Sequence, residues 1–160
     1  MDWIHRSMDS DSGMERALST ARFADPRSES GGESMARAMM VAAGVLPTDL
    51  QVEFSDPVNP GRKIRVDYLF RRVDGCVMVG EFDGKIKYLD DGMLHGSSAV
   101  GVMLRERQRE SHLTLLGMPV IRFCMKDVRT PGRIARMLAD VGITQDTLVE
   151  TTYLDASPRT

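Results

Sequence analysis

The chain is short of cysteine, aromatic residues and long apolar runs, and neither sign of charge dominates it. Its 160 residues include only Cys76 and Cys124, too few for a disulfide framework. No Cys-x-x-Cys or Cys/His cluster offers a structural zinc site. Both thiols read as buried apolar fillers. Aromatics make up 6% of the residues, and Tyr68 and Tyr88 are too few to define a base-stacking platform. The longest apolar run, Ala38 to Leu46, stops after nine residues and is interrupted by Gly44, far below the ~20 needed to span a bilayer. Met1 to Arg6 is followed by Asp and Ser where a signal peptide would place its apolar core. A cytoplasmic protein with no membrane partner is expected. The formal net charge of -2 excludes a global basic field, so any attraction to nucleic acid must be local.

What is present is the composition of one globular domain, 42% hydrophobic and 28% charged residues, enough to bury a core. Residues 1–26 read as a polar leader with room for a short helix over Met14–Phe23, 27–143 as the folded domain, and 144–160 as a loose extension. Glu33 to Ala43 runs without a breaker to Gly44 and predicts the first core helix. Leu50 to Phe54 alternates as a half-buried strand. Lys63–Val73 and Cys76–Lys85 are β-rich runs joined at Asp74-Gly75, a strong hairpin signal. Leu89–Ser97 reads as a loop. A longer helix follows and ends at Gly117, then Pro119–Cys124 is a short apolar strand of the buried type. Thr130-Pro131 reads as an N-cap and first helical residue, opening a last helix that runs to about Val141. The order is helix, three strands, helix, strand, helix.

The hairpin register can be tested against its own hydrophobicity. A two-residue turn at Asp74-Gly75 would mix charge with core on both faces. A loop of Val73, Asp74 and Gly75, with Gly75 left-handed, pairs Arg72 with Cys76 instead. Phe70 then meets Met78, Val66 meets Phe82 on one apolar face, and Asp67 faces Glu81. The other face collects Asp67, Glu81, Asp83 and Lys85 at one end.

Converging carboxylates beside one lysine repel unless a cation shares them or one is protonated. Carboxylate oxygens are hard ligands and favour Mg2+ or Mn2+. A divalent ion there can acidify a bound water and neutralise charge on a phosphodiester undergoing displacement, and a nearby lysine can orient the water or stabilise the transition state. The implied reaction is phosphodiester hydrolysis.

Val66-Asp67-Tyr68-Leu69-Phe70, then Val79-Gly80-Glu81-Phe82-Asp83-Gly84-Lys85, then Arg105 to Glu110 leading into Leu115 to Phe123 resembles the PD-(D/E)xK, or restriction-endonuclease-like, superfamily. Within it the chain is similar to the group related to very-short-patch repair endonucleases and to nuclease-like C-terminal domains of antitoxin-like proteins. The resemblance covers roughly residues 27–141 and implies an αβββαβ core, a mixed central sheet flanked by helices. It also implies a metal-dependent endonuclease acting on DNA more than RNA, with Mg2+ or Mn2+ as cofactor. By position, Asp67, Glu81 and Asp83 would be the metal ligands. Glu33 matches an acidic residue often supplied by the first helix. One departure stands out: Asp83 lies where the pattern expects lysine, while Asp83-Gly84-Lys85 satisfies it two residues later. The preferred assignment takes Glu81 and Asp83 as the acidic pair, with Lys85 as an electrostatic auxiliary.

Blander readings stand beside these. Ser30-x-x-Glu33 is also a capping box. Asp67, Glu81, Asp83 and Lys85 could form a solvated strand face. Arg109 shares a helical stripe with Leu113 and Leu116 and so should point inward; with Lys63, Arg65, Lys85 and Lys87 it is a candidate phosphate contact. His95 and His112 receive no role. The alternative function is a catalytically silent relative serving as a DNA-binding or protein-interaction module of a defence or toxin-antitoxin system. The sequence leaves open whether two copies pair as a homodimer.

Overall fold

Ser30 caps the first described helix, its side chain accepting from the Glu33 amide. A computed structural model describes residues 24–84 and 99–149. The elements are α1 (Gly31–Ala42), β1 (Asp49–Ser55), β2 (Lys63–Arg71), β3 (Val77–Asp83), α2 (Ala99–Leu115), β4 (Val120–Cys124), α3 (Met125–Arg129) and α4 (Arg133–Asp140). The four strands form one mixed sheet in the order β1-β2-β3-β4, with β3 and β4 parallel and the other pairs antiparallel. The protein is therefore α/β, with helices on both faces of a mixed sheet. No helix among the described residues is long and apolar enough to cross a membrane. The expected helix over Met14–Phe23 and the expected loop at Leu89–Ser97 lie outside the described residues.

Two apolar clusters sandwich the sheet. Ala36 and Met40 of α1, Val128 of α3, and Ile134 and Leu138 of α4 pack with Leu50, Tyr68, Phe70, Met78, Ile121 and Phe123. Leu113 of α2 and Met118 pack with Ile64, Val66, Leu69 and Val79 on the other side. Side chains along a strand alternate between faces, which accounts for Met78 on one side and Val79 on the other.

The hairpin register agrees with the sequence reading: Phe70 pairs with Met78, and the Arg72 amide donates to the Cys76 carbonyl at 2.9 Å. Gly75 takes φ +85°, the left-handed conformation such a loop needs and that an L side chain resists. The expected continuous apolar face on β2 is not what forms. Val66 lies in the cluster beneath α2, while Tyr68, two residues on, lies in the opposite one. Leu50 and Val52 on β1 part in the same way. Both strands change faces at the facing positions Gln51 and Asp67, which the β1-β2 ladder skips without losing register. Gln51 has φ +52°, and this left-handed residue breaks the alternation of β1 there. Val66 consequently does not share a face with Phe82, which packs against the α1 side.

Two further expectations are corrected. Thr130 does not cap the last helix: it ends α3, its hydroxyl donating to the Lys126 carbonyl at 2.8 Å, and α4 begins at Arg133 behind Gly132. Residues 144–149 are not loose. The Val73 amide donates to Thr147, the Val149 amide to Arg71, and Arg72 forms a bridge with Leu148.

Candidate active site

Glu33 and Asp67 share the Gln51 amide where the β2-β3 ladder ends, and the charge of Glu81 is felt at Asp67. Glu33 reaches it from α1 because Gly32 lets the helix press onto β3: a Cβ there would sit 2.1 Å from the Phe82 ring. The Tyr68 hydroxyl fixes the same helix start by donating to the Glu33 carbonyl at 2.8 Å, fully buried. Tyr68 is held in turn by an edge-on contact with the Phe123 ring.

Glu33 is buried and carries two duties at once. Its Oε1 accepts from the Ser30 hydroxyl (2.7 Å), and its Oε2 accepts from the Glu29 amide (2.8 Å) and from Gln51 Nε2 (3.1 Å). The capping reading and the site reading are therefore compatible, since the bonds that close the helix start also hold the carboxylate toward Gln51.

Asp67 is half-buried and lies just past the end of the β2-β3 ladder. Its Oδ2 accepts from the Phe82 amide at 2.8 Å and its Oδ1 from Gln51 Nε2 at 3.3 Å. The backbone ladder between β2 and β3 reaches Tyr68-Gly80 and stops there; one step beyond, where register would set Asp67 against Glu81, a side chain takes over from the main chain. Burial raises the Asp67 carboxyl above its ordinary pKa, the Phe82 amide opposes this, and the charges of Glu33 and Glu81 raise it further.

Glu81 is 5% exposed and lies between two guanidinium groups. Arg109 of α2 pairs with Oε1, and Arg122 of β4 stands 3.6 Å from Oε2. Arg122 occupies the position beside Glu81 in the parallel β3-β4 register and also approaches Glu106 (3.6 Å) and Glu110 (3.4 Å) of α2. Arg109 ion-pairs with Glu81 Oε1 without a well-aligned hydrogen bond. Burial alone would lower the Arg109 pKa; its contact with Glu81 outweighs this and holds the guanidinium charged.

The other sequence-derived candidates distribute as follows. Asp83 ends β3, half-buried, beside Cys124 of β4. Among the described residues no three His, Cys, Asp or Glu side chains are gathered into a ready-made metal cage. Arg109 points inward as expected, but onto Glu81 and the Arg65 carbonyl. Arg65 is half exposed and pairs with Glu29 at 2.7 Å, and Lys63 is exposed beside the Ser55 hydroxyl. Lys85 and Lys87 lie outside the described residues.

Sequence reasoning missed Gln51 and Arg122. Alternation along Leu50-Gln51-Val52 would send Gln51 to solvent with Glu53, and nothing in the sequence announces its left-handed backbone. Arg122 did leave a signal: it is the single charged residue of an apolar strand.

No protein family, no characterised protein and no solved structure matches the chain.

Proposed function

We propose that the protein is a metal-dependent nuclease of restriction-endonuclease-like fold that hydrolyses phosphodiester bonds in DNA. The supporting observation is the buried Glu81 oxygen that lacks an aligned hydrogen bond, at a sheet end where Glu33 and Asp67 also carry negative charge. Carboxylate oxygens are hard ligands and suit Mg2+ or Mn2+. Asp67, Glu81 and Asp83 are the residues that would hold the ion. The ion would supply a more acidic water and neutralise charge on the phosphate. The chain's own part is to fix Asp67 through the Phe82 amide, to fix Glu33 through the α1 cap, and to present Arg109, Arg65 and Lys63 to the phosphate backbone. An Arg109 drawn to a phosphate would release Glu81 toward the ion.

A second reading has its own observation. Both Glu81 oxygens already face guanidinium groups, which suits a silent module that binds DNA or a protein without cutting. Cleavage of plasmid DNA with and without Mn2+, comparing wild type with Asp67→Asn, separates the two. Metal-dependent nicking that the variant loses supports the nuclease; salt-sensitive DNA binding without cleavage supports the module.

A further inference from the structure

We propose that Arg109 and Arg122 form a clamp for a DNA phosphate, and that Glu81 holds this clamp closed until nucleic acid displaces it. The idea rests on the DNA-binding part of the reading above and not on the ion. Three observations carry it. First, two guanidinium groups from different elements converge on one carboxylate, Arg109 of α2 on Oε1 and Arg122 of β4 on Oε2. Second, the charges are layered. The Glu81 side chain is 7% exposed, whereas those of Arg109 and Arg122 are 29% and 31% exposed, so an anion arriving from solvent meets the cations first. Third, the donors are poorly spent. Glu81 Oε1 takes no well-aligned hydrogen bond, and Arg122 stands 3.4 to 3.6 Å from Glu81, Glu106 and Glu110, longer than an ordinary charge-assisted bond.

A phosphate would use these groups more fully than Glu81 does. A guanidinium fork matches phosphate oxygens through two parallel N–H bonds, and neither arginine makes that contact with Glu81. Contacts so loose are weak evidence of a purely structural bridge, because the attraction within a buried pair has to offset the water both ions lose. Arg109 is also anchored from the other side, one nitrogen donating to the Arg65 carbonyl, so the group keeps its place when Glu81 lets go. Glu106 and Glu110 oppose an incoming anion at Arg122, but at 38% and 50% exposure they are better screened than Glu81.

The probe is a short fluorescein-labelled DNA duplex, followed by anisotropy in EDTA over a range of KCl concentrations. Glu81→Gln keeps the shape and removes the charge, so its dissociation constant should fall about tenfold and its salt dependence should steepen by about one phosphate contact. Loss of any carboxylate favours DNA, so the decisive comparison repeats Glu81→Gln in an Arg109→Gln, Arg122→Gln background, where the gain should vanish. An equal gain in both backgrounds, or no gain when wild type does bind, would overturn the proposal. Should a variant fail to fold, the Nε–H resonances of Arg109 and Arg122 in the wild-type chain decide the matter. Both should move when duplex is added, and unmoved signals count against the clamp. If neither wild type nor Glu81→Gln binds duplex, the DNA reading fails by itself. Inorganic phosphate then tests the clamp: it should shift both arginine signals, and an absence of shift overturns the proposal.

Discussion

Asp67 Oδ2 accepts the Phe82 amide at 2.8 Å where the backbone ladder between β2 and β3 has ended, so a side-chain carboxylate continues the pairing that the main chain leaves off. Asparagine can still accept that bond while shedding the negative charge. Asp67→Asn should therefore fold, and in the metal-free state at pH 7 should be as stable as wild type or more so. The sign follows from the raised Asp67 pKa: stability tied to its proton is present below the ordinary value and lost as pH rises through the folded one. Cleavage should fall by about 100- to 1000-fold, the loss of several kcal/mol of charge stabilisation in the transition state. Urea melts and plasmid nicking test the two halves separately.

Half-buried Arg109 and buried Glu81 form an ion pair that should be costly to break from one side. Arg109→Leu leaves Glu81 with only the more distant Arg122 and should cost about 3 kcal/mol. Arg109→Leu combined with Glu81→Leu should recover much of that, since an apolar pair of similar volume tolerates the site better than a lone charge. Denaturant unfolding of the singles and the double is the measurement; simple additivity would contradict the pairing.

Gly32 is the place where α1 touches β3. Gly32→Ala sets a methyl 2.1 Å from the Phe82 ring, so helix or ring must shift, at about 1–3 kcal/mol. Trimming the ring with Phe82→Leu in the same molecule should restore part of the loss. Because the clash falls on Phe82, whose amide holds Asp67, Mn2+ affinity should drop in Gly32→Ala and return in the double variant.

Asp56 supplies an acid-sensitive clamp outside the site. Its carboxylate accepts from the Val58 amide (2.8 Å), the Asn59 amide (3.0 Å) and Asn59 Nδ2 (2.9 Å), and it pairs with His112 Nδ1 of α2 at 3.0 Å. Desolvation pushes its pKa up, but these bonds prevail and hold it well below the ordinary 3.8. The stability it contributes is thus full above pH 3.8 and is lost as pH falls through the folded value. Asp56→Asn should lower the urea midpoint at pH 7, and the gap from wild type should narrow toward pH 2. A gap that stays constant across that range would rule the clamp out.

The parts of the fold governed by local chemistry were legible in the sequence. Asp74-Gly75 gave the hairpin, hydrophobic matching of Phe70 with Met78 gave its register, and Gly44, Gly117 and Gly142 marked helix ends that the structure keeps. Alternation failed where a single residue, Gln51, left the extended region, because periodicity assumes a regular backbone. The partnership of Glu81 with Arg122 depends on which strand lies beside β3, a long-range pairing with no local trace. Thr130-Pro131 misled because the same residues that open helices also close them; here α3 had already used Thr130.

The stretch from Thr144 to Val149 gives the hairpin a second anchor, far from its acidic end. By lying against Arg71, Arg72 and Val73 it ties the returning chain to the tip of the β2-β3 ribbon. A version of this protein cut at Ile143 would forfeit that clasp, and any tag or fusion partner is better joined downstream of it than at the glycine that closes α4.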